Sequence, residues 1–158
     1  MIILINGTIN AGKTTVAKLL ATKISNSALV EIDTLRAMIE WMPLEQAIPL
    51  NLENAVSVIK NFSKNGLHVI VPYPLSQKNY EYLLKELEPL EIRVFTLALS
   101  LESALSNRGN RELDEKEKDR IKHQYEIGIH TPSFGEIIDN SNKKPEETAE
   151  IILNKLSI

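Results

Sequence analysis

Near its head the chain reads Ile2-Ile3-Leu4-Ile5-Asn6 and then Gly7-Thr8-Ile9-Asn10-Ala11-Gly12-Lys13-Thr14, and this stretch decides the fold. A short apolar run stopped by a glycine has the pattern of a buried parallel strand. From Lys13 to Ile24, apolar residues recur at Val16, Leu19, Leu20 and Ile24, which is helical spacing. Between strand and helix, residues 7–14 match G-x-x-x-x-G-K-[ST] in full. The glycines let the backbone curl so that successive N–H groups turn inward toward phosphate oxygens. The helix start adds its dipole and its unpaired N–H groups. Lys13 is placed to reach β- and γ-phosphates, and the Thr14 hydroxyl to bind Mg²⁺. Average residue frequencies give such a match in a chain of this length only about half a percent of the time. Gly7, Thr8, Ile9, Asn10, Ala11, Gly12, Lys13, Thr14 and Thr15 are therefore expected to hold a nucleoside triphosphate, with MgATP the expected ligand.

Outward from this loop, strands and helices alternate. Further strands are expected at Leu29–Ile32, His68–Val71, Ile92–Leu99 and Glu136–Asp139. Residues 34–42 look helical up to Pro43. Asn51 has the side chain to cap a helix carrying Leu52, Ala55, Val56, Ile59 and Phe62, ended by Asn65-Gly66. Ser76 is expected to open another helix, Leu101 one reaching about Arg108, and Pro145 the last. Asp114–Ile127 is helical in pattern but mostly charged, with Ile121, Tyr125 and Ile127 its clear apolar residues; a peripheral arm is expected. The alternation predicts an α/β fold with a parallel sheet covered on both faces, and right-handed crossovers.

The 158 residues fit a single domain, residues 1–158. A net charge of −3 gives no basic footprint, so no nucleic-acid partner is expected. No apolar run is long enough for a membrane span. Met1 leads straight into a strand without the layout of a signal peptide, which makes a cytoplasmic protein the expectation. With no cysteine, disulfides and zinc–thiolate sites are excluded. His68, His123 and His130 lack ligand spacing and are read as structural or solvent-exposed.

The remaining motifs narrow the class. Asn142-Lys143-Lys144-Pro145 lacks the aspartate of a guanine-reading N-K-x-D, and no D-x-x-G switch is present. The third strand ends Val71-Pro72-Tyr73-Pro74, without the acid that holds Mg²⁺ in large motor ATPases. Small phosphoryl-transfer kinases fit best.

Three motifs carry a resemblance over nearly the whole chain: the phosphate loop, Asp33-Thr34-Leu35-Arg36 after the second strand, and the turn Arg108-Gly109-Asn110-Arg111. With them the chain resembles the shikimate kinase-like small P-loop kinases. Within that group, HVIVPYPLS and RVFTLALSLESAL make chloramphenicol phosphotransferase and the tunicamycin-resistance-type proteins most similar. The resemblance implies a P-loop NTPase three-layer sandwich with a five-stranded sheet in order 2-3-1-4-5. It also implies a substrate-binding segment over residues 34–66, a lid with the charged helix over 108–128, and a loop near residues 140–144 that touches adenine. Shikimate itself is not implied, since Pro72-Tyr73-Pro74 and a single Asp33 replace the glycine-rich turn and aspartate pair that read it.

Asp33 falls at the carboxyl end of a strand, where open α/β sheets bind ligands. It is a candidate to accept the proton of the acceptor hydroxyl, or to hold a water on the Mg²⁺ that Thr14 binds; its other reading is a helix N-cap, which is compatible with either. Arg36 is a candidate fork for an anionic or polar substrate group. Arg108 and Arg111 are candidates to neutralise the transferring phosphoryl group from a closing lid, with Arg120 a weaker one; surface arginines are the alternative. Trp41, Met42 and Tyr73 form a candidate apolar wall for an organic substrate, although Trp41 suits core packing as well. The expected function is ATP-dependent transfer of a phosphoryl group to a hydroxyl of a metabolite or antibiotic. A nucleoside or nucleotide kinase and a nucleotide-binding module without transfer chemistry stand as alternatives.

Overall fold

The computed structural model describes residues 1–106 and 112–156. In chain order these form β1 (Ile2–Gly7), α1 (Lys13–Lys23), β2 (Ser27–Leu29), α2 (Ile32–Ala37), α3 (Leu44–Lys64), β3 (His68–Pro72), α4 (Gln77–Leu87), β4 (Ile92–Ala98), α5 (Leu101–Leu105), α6 (Glu115–Glu126), β5 (Glu136–Asp139) and α7 (Pro145–Leu156). All five strands are parallel, in the order β2-β3-β1-β4-β5. β1 is central, and every one of its residues is buried, which is why its sequence is continuously apolar rather than alternating.

Side chains still alternate between the two faces. Ile3 and Ile5 pack with Ile70, Phe95 and Leu97 against Val16 and Leu20 of α1 and Ile152 of α7. Ile2 and Leu4 pack with Val69, Val71 and Val94 against Ile59 of α3 and Leu83 of α4. The crossovers therefore cover both faces and leave the carboxyl ends of the strands open, where the β1, β2 and β3 loops become neighbours.

Four expectations are corrected. The second strand ends at Leu29, not Ile32: the Val30 N–H still reaches the Ile70 carbonyl at 2.9 Å, but Ile32 begins α2. Ile32 is buried in either conformation, so hydrophobic pattern alone does not separate the two. Asp33 accordingly sits in the first turn of α2, whose N-cap is Glu31 with no side-chain cap bond; it is not the cap. Asn51 is not a cap either. The helix begins seven residues earlier, at Leu44, and carries Pro49 inside it. The N–H groups of Gln46 and Ala47 both bond the Pro43 carbonyl, so the first turn is closed before the proline arrives.

The charged helix is the fourth correction. α6 starts with a full capping box between Asp114 and Glu117. It docks rather than protrudes: Ile121 is fully buried in the core, and the Tyr125 hydroxyl donates to the Leu99 carbonyl at 2.7 Å. A narrow apolar stripe reinforced by hydrogen bonds holds it, and a periodicity of apolar residues does not reveal that kind of docking. The helix expected from Leu101 to about Arg108 extends over Leu101–Leu105 in the described part.

Candidate active site

Three left-handed or extended-positive backbone positions shape the phosphate loop. Gly7 (φ 146°), Asn10 (φ 67°) and Gly12 (φ 88°) turn the chain between β1 and α1. At Gly7 a β-carbon would lie 2.8 Å from the Leu97 carbonyl oxygen, so the strand pair leaves room only for glycine. Gly12 is the N-cap of α1, and no side chain caps that helix. The N-terminal dipole therefore points into the loop without a competing side-chain acceptor. The Lys13 ammonium folds back over the loop and donates to the Thr8 carbonyl at 2.8 Å.

Asn10 to Thr15 line a cleft of about 470 Å³, closed on the far side by Asn140, Lys143, Pro145 and Thr148. Gly7, Thr8 and Ile9, also expected as nucleotide contacts, do not line it. Asn140 ties the two walls together, donating from Nδ2 to the Ala11 carbonyl. Lys143 donates to the Asp139 carbonyl at 2.8 Å, which fixes the turn expected to meet adenine.

The residues expected to meet the acceptor lie on the other side of β1. Tyr73 follows β3, is 9% exposed, and is pinned by its N–H to the Ile5 carbonyl at 3.1 Å. Burial is the main cause that raises the Tyr73 phenol above its ordinary pKa, and Asp33 adds to it; Arg36 and Arg120 act in the opposite direction. Asp33 and Arg36 of α2 and Arg120 of α6 are thus each within electrostatic reach of the Tyr73 phenol. Asp33 is exposed and Arg36 half-buried, with the Arg36 Nε buried and unpartnered. Arg120, the weaker candidate in the sequence, belongs to this group. Trp41 does not take the core position: it is 79% exposed, beside Met38 at 73%, on the turn after α2. Arg108 and Arg111 lie outside the described residues.

Two contributors were missed in the sequence. Asn6 is fully buried; its Nδ2 donates to Thr96 Oγ1 and to the Ile129 carbonyl, while its Oδ1 accepts from the Leu75 N–H at 2.8 Å. It binds β1, β4, the β3 loop and the segment after α6 into one edge, and a polar residue ending an otherwise apolar strand was its signal. Gln124 is the second: its Oε1 accepts from the Ile9 N–H at 2.7 Å.

The donor set suits magnesium. No group of three or more acidic, histidine or cysteine side chains able to hold a metal exists among the described residues. Mg²⁺ at phosphoryl-transfer sites needs only one or two protein oxygens beside phosphates and water, and the Thr14 hydroxyl and the Asp33 carboxylate, the two groups expected to serve it, are hard oxygens on exposed residues.

Residues 1–157 match the family model described as chloramphenicol phosphotransferase-like protein. The chain belongs to that family. Among curated proteins compared by sequence, none matches it. Solved structures with the same fold include the tunicamycin resistance protein of Deinococcus radiodurans, at 21% identity over 99% of this chain and 95% of that one, TM-score 0.72. A sugar kinase from Janibacter sp. is 18% identical over 99% and 94%, TM-score 0.74. Shikimate kinase from Acinetobacter baumannii, solved with shikimate, is 17% identical over 99% and 92%, TM-score 0.66. At such identities the likeness is one of fold, shared across small P-loop kinases with different acceptors. The histidines stay apart from the phosphate loop's cleft, and no helix of the described residues is long and apolar enough to cross a membrane.

Proposed function

We propose that this family member transfers the γ-phosphoryl group of MgATP to a hydroxyl of a small molecule. The observation that carries this is the folded phosphate loop, with Lys13 held across it, opening onto the same sheet edge as Asp33 and Tyr73. In this reading the triphosphate lies along the loop and the N-terminus of α1, and the base enters the cleft toward Asn140. Thr14 and Asp33 would hold Mg²⁺, which when bound neutralises phosphate charge. The acceptor oxygen attacks the γ-phosphorus, its proton passes to the Asp33 carboxylate, and the bond to ADP breaks. The Lys13 ammonium follows the charge that develops on the phosphoryl oxygens. Residues 34–66 then act as the acceptor-binding segment and 108–128 as lid and charged helix, with Arg108 and Arg111 completing the cationic cage from the lid while α6 stays docked, all within one domain over residues 1–158. Arg36, Trp41 and Tyr73 contact the acceptor.

ADP release from MgATP across a panel of hydroxylated sugars, acids, nucleosides and antibiotics tests this, with Lys13→Ala as the blank. One class is expected to stimulate release strongly, and Asp33→Asn to lower it by roughly 10²-fold or more, the scale of a lost general base. A nucleotide-binding module without transfer would bind MgATP, give a flat panel, and be indifferent to Asp33→Asn.

A further inference from the structure

α6 places a polar side chain where an outer helix has no packing need of one. Gln124 is only 8% exposed, in a helix whose neighbours Lys122, His123 and Glu126 face solvent. Its Oε1 takes the Ile9 N–H across 115 residues of sequence at 2.7 Å. The helix register that aims it is fixed on both sides, by the buried Ile121 and by the Tyr125 hydroxyl on the Leu99 carbonyl. The next loop residue is held from a different direction: the Asn10 Nδ2 donates to the carbonyls of Ala104 and Ser106, each at 2.9 Å. The Ile9–Asn10 segment, which includes a left-handed residue, is therefore clamped between the end of α5 and the body of α6.

We infer that Gln124 is a positioning residue for nucleotide binding, acting on the phosphate loop through the Ile9 N–H and not on the nucleotide itself. The inference rests on the MgATP reading above. An unclamped loop has to be ordered when the triphosphate arrives, and that cost is taken from affinity. With the Ile9 N–H claimed by Gln124, the loop keeps the curl in which Asn10 to Thr15 line the cleft. Gln124 does not line that cleft, so its effect reaches the nucleotide only through the loop.

The test uses the full chain and MgATP as the probe, with titration calorimetry for affinity and hydrogen exchange at the Ile9 amide for loop order. Gln124→Met keeps the size and removes the acceptor; Gln124→Asn keeps the amide and draws it one methylene short; Gln124→Glu retains an acceptor for Ile9. The Met and Asn variants are expected to exchange the Ile9 amide faster and to bind MgATP roughly tenfold more weakly, the scale of one lost hydrogen bond. Gln124→Glu is expected to keep the amide protected. A merely structural role for Gln124 would lower the melting temperature of all variants while leaving the Ile9 amide and the affinity of the folded protein unchanged, and that outcome overturns the inference. Should Gln124→Met fail to fold, Gln124→Asn gives the same reading. If the wild-type chain itself binds no MgATP, the nucleotide reading falls and this inference with it. If wild type binds and the Met and Asn variants match it, only the role of Gln124 falls.

Discussion

Asn140 donates from Nδ2 to the Ala11 carbonyl at 3.0 Å, which ties the segment after the edge strand to the floor of the phosphate loop. Asn140 is 4% exposed, and its Oδ1 has no partner. The bond therefore depends on the donor half of the amide alone. Asn140→Ala should leave the Ala11 carbonyl unpaired and destabilise the fold by about 1–2 kcal/mol. Asn140→Asp should be worse, because an acceptor-only carboxylate then faces a carbonyl in a buried place beside the phosphate cleft. Thermal melts and MgATP titrations of the two variants check the order; equal losses would show that the donor is not what matters.

Gly7 and Gly12 both have positive φ, yet their substitutions should fail differently. A β-carbon at Gly7 lies 2.8 Å from the Leu97 carbonyl oxygen and 3.1 Å from the Ala11 β-carbon, whereas one at Gly12 meets nothing within 4 Å. Gly7→Ala should thus cost folding more than about 2 kcal/mol, strain and clash together. Gly12→Ala should cost only the left-handed strain, about 1–2 kcal/mol, and do its main damage to nucleotide affinity, since Gly12 lines the cleft. Denaturant midpoints compared with MgATP dissociation constants separate the two effects.

Much of this arrangement was legible because it is local. The strand–loop–helix at residues 2–24, the Ser76 cap of α4, whose hydroxyl accepts from the Asn79 N–H at 3.3 Å, and Pro145 at the start of α7 are each written in neighbouring residues. The sheet order followed from the resemblance and is the order found. What sequence did not show is contact between distant segments. Gln124 reading Ile9, Asn6 joining four segments, and Arg120 acting on the same phenol as Asp33 all depend on where helices dock. The misread starts of α2 and α3 have another cause: Ile32 is apolar enough for strand or helix, and Pro49 hides a helix that Pro43 had already begun.

Asn6 offers a sharper test of how the edge is held. Its three hydrogen bonds are all buried, so Asn6→Leu leaves Thr96 Oγ1, the Ile129 carbonyl and the Leu75 N–H without it. At about 1 kcal/mol for each bond, a loss of roughly 3 kcal/mol is expected from denaturant unfolding. Asn6→Asp should recover the Leu75 bond but not the two donations, and fall near or below the leucine variant because a charge is then buried.

His130 gives the chain a pH dependence above the range of its carboxylates. Its ring stacks on Tyr125 with centroids 4.3 Å apart, and its Nδ1 is buried without a hydrogen-bond partner. Burial lowers its pKa below the ordinary value of 6.5. The unfolded chain therefore takes up the proton more readily than the folded one. The stability this group contributes is complete above pH ~6.5 and is lost as pH falls through the lowered folded value. Glu136, held low chiefly by the Lys155 ammonium and then by Arg93, and Asp139, held low by the Ser141 N–H, lose their contributions only at more acidic pH, below about 4.5. The melting temperature of the wild type should thus decline as pH falls below about 6.5, and that of His130→Phe, which keeps the stack and cannot titrate, should decline less. Parallel decline of the two proteins would mean that protonation at His130 is not linked to folding.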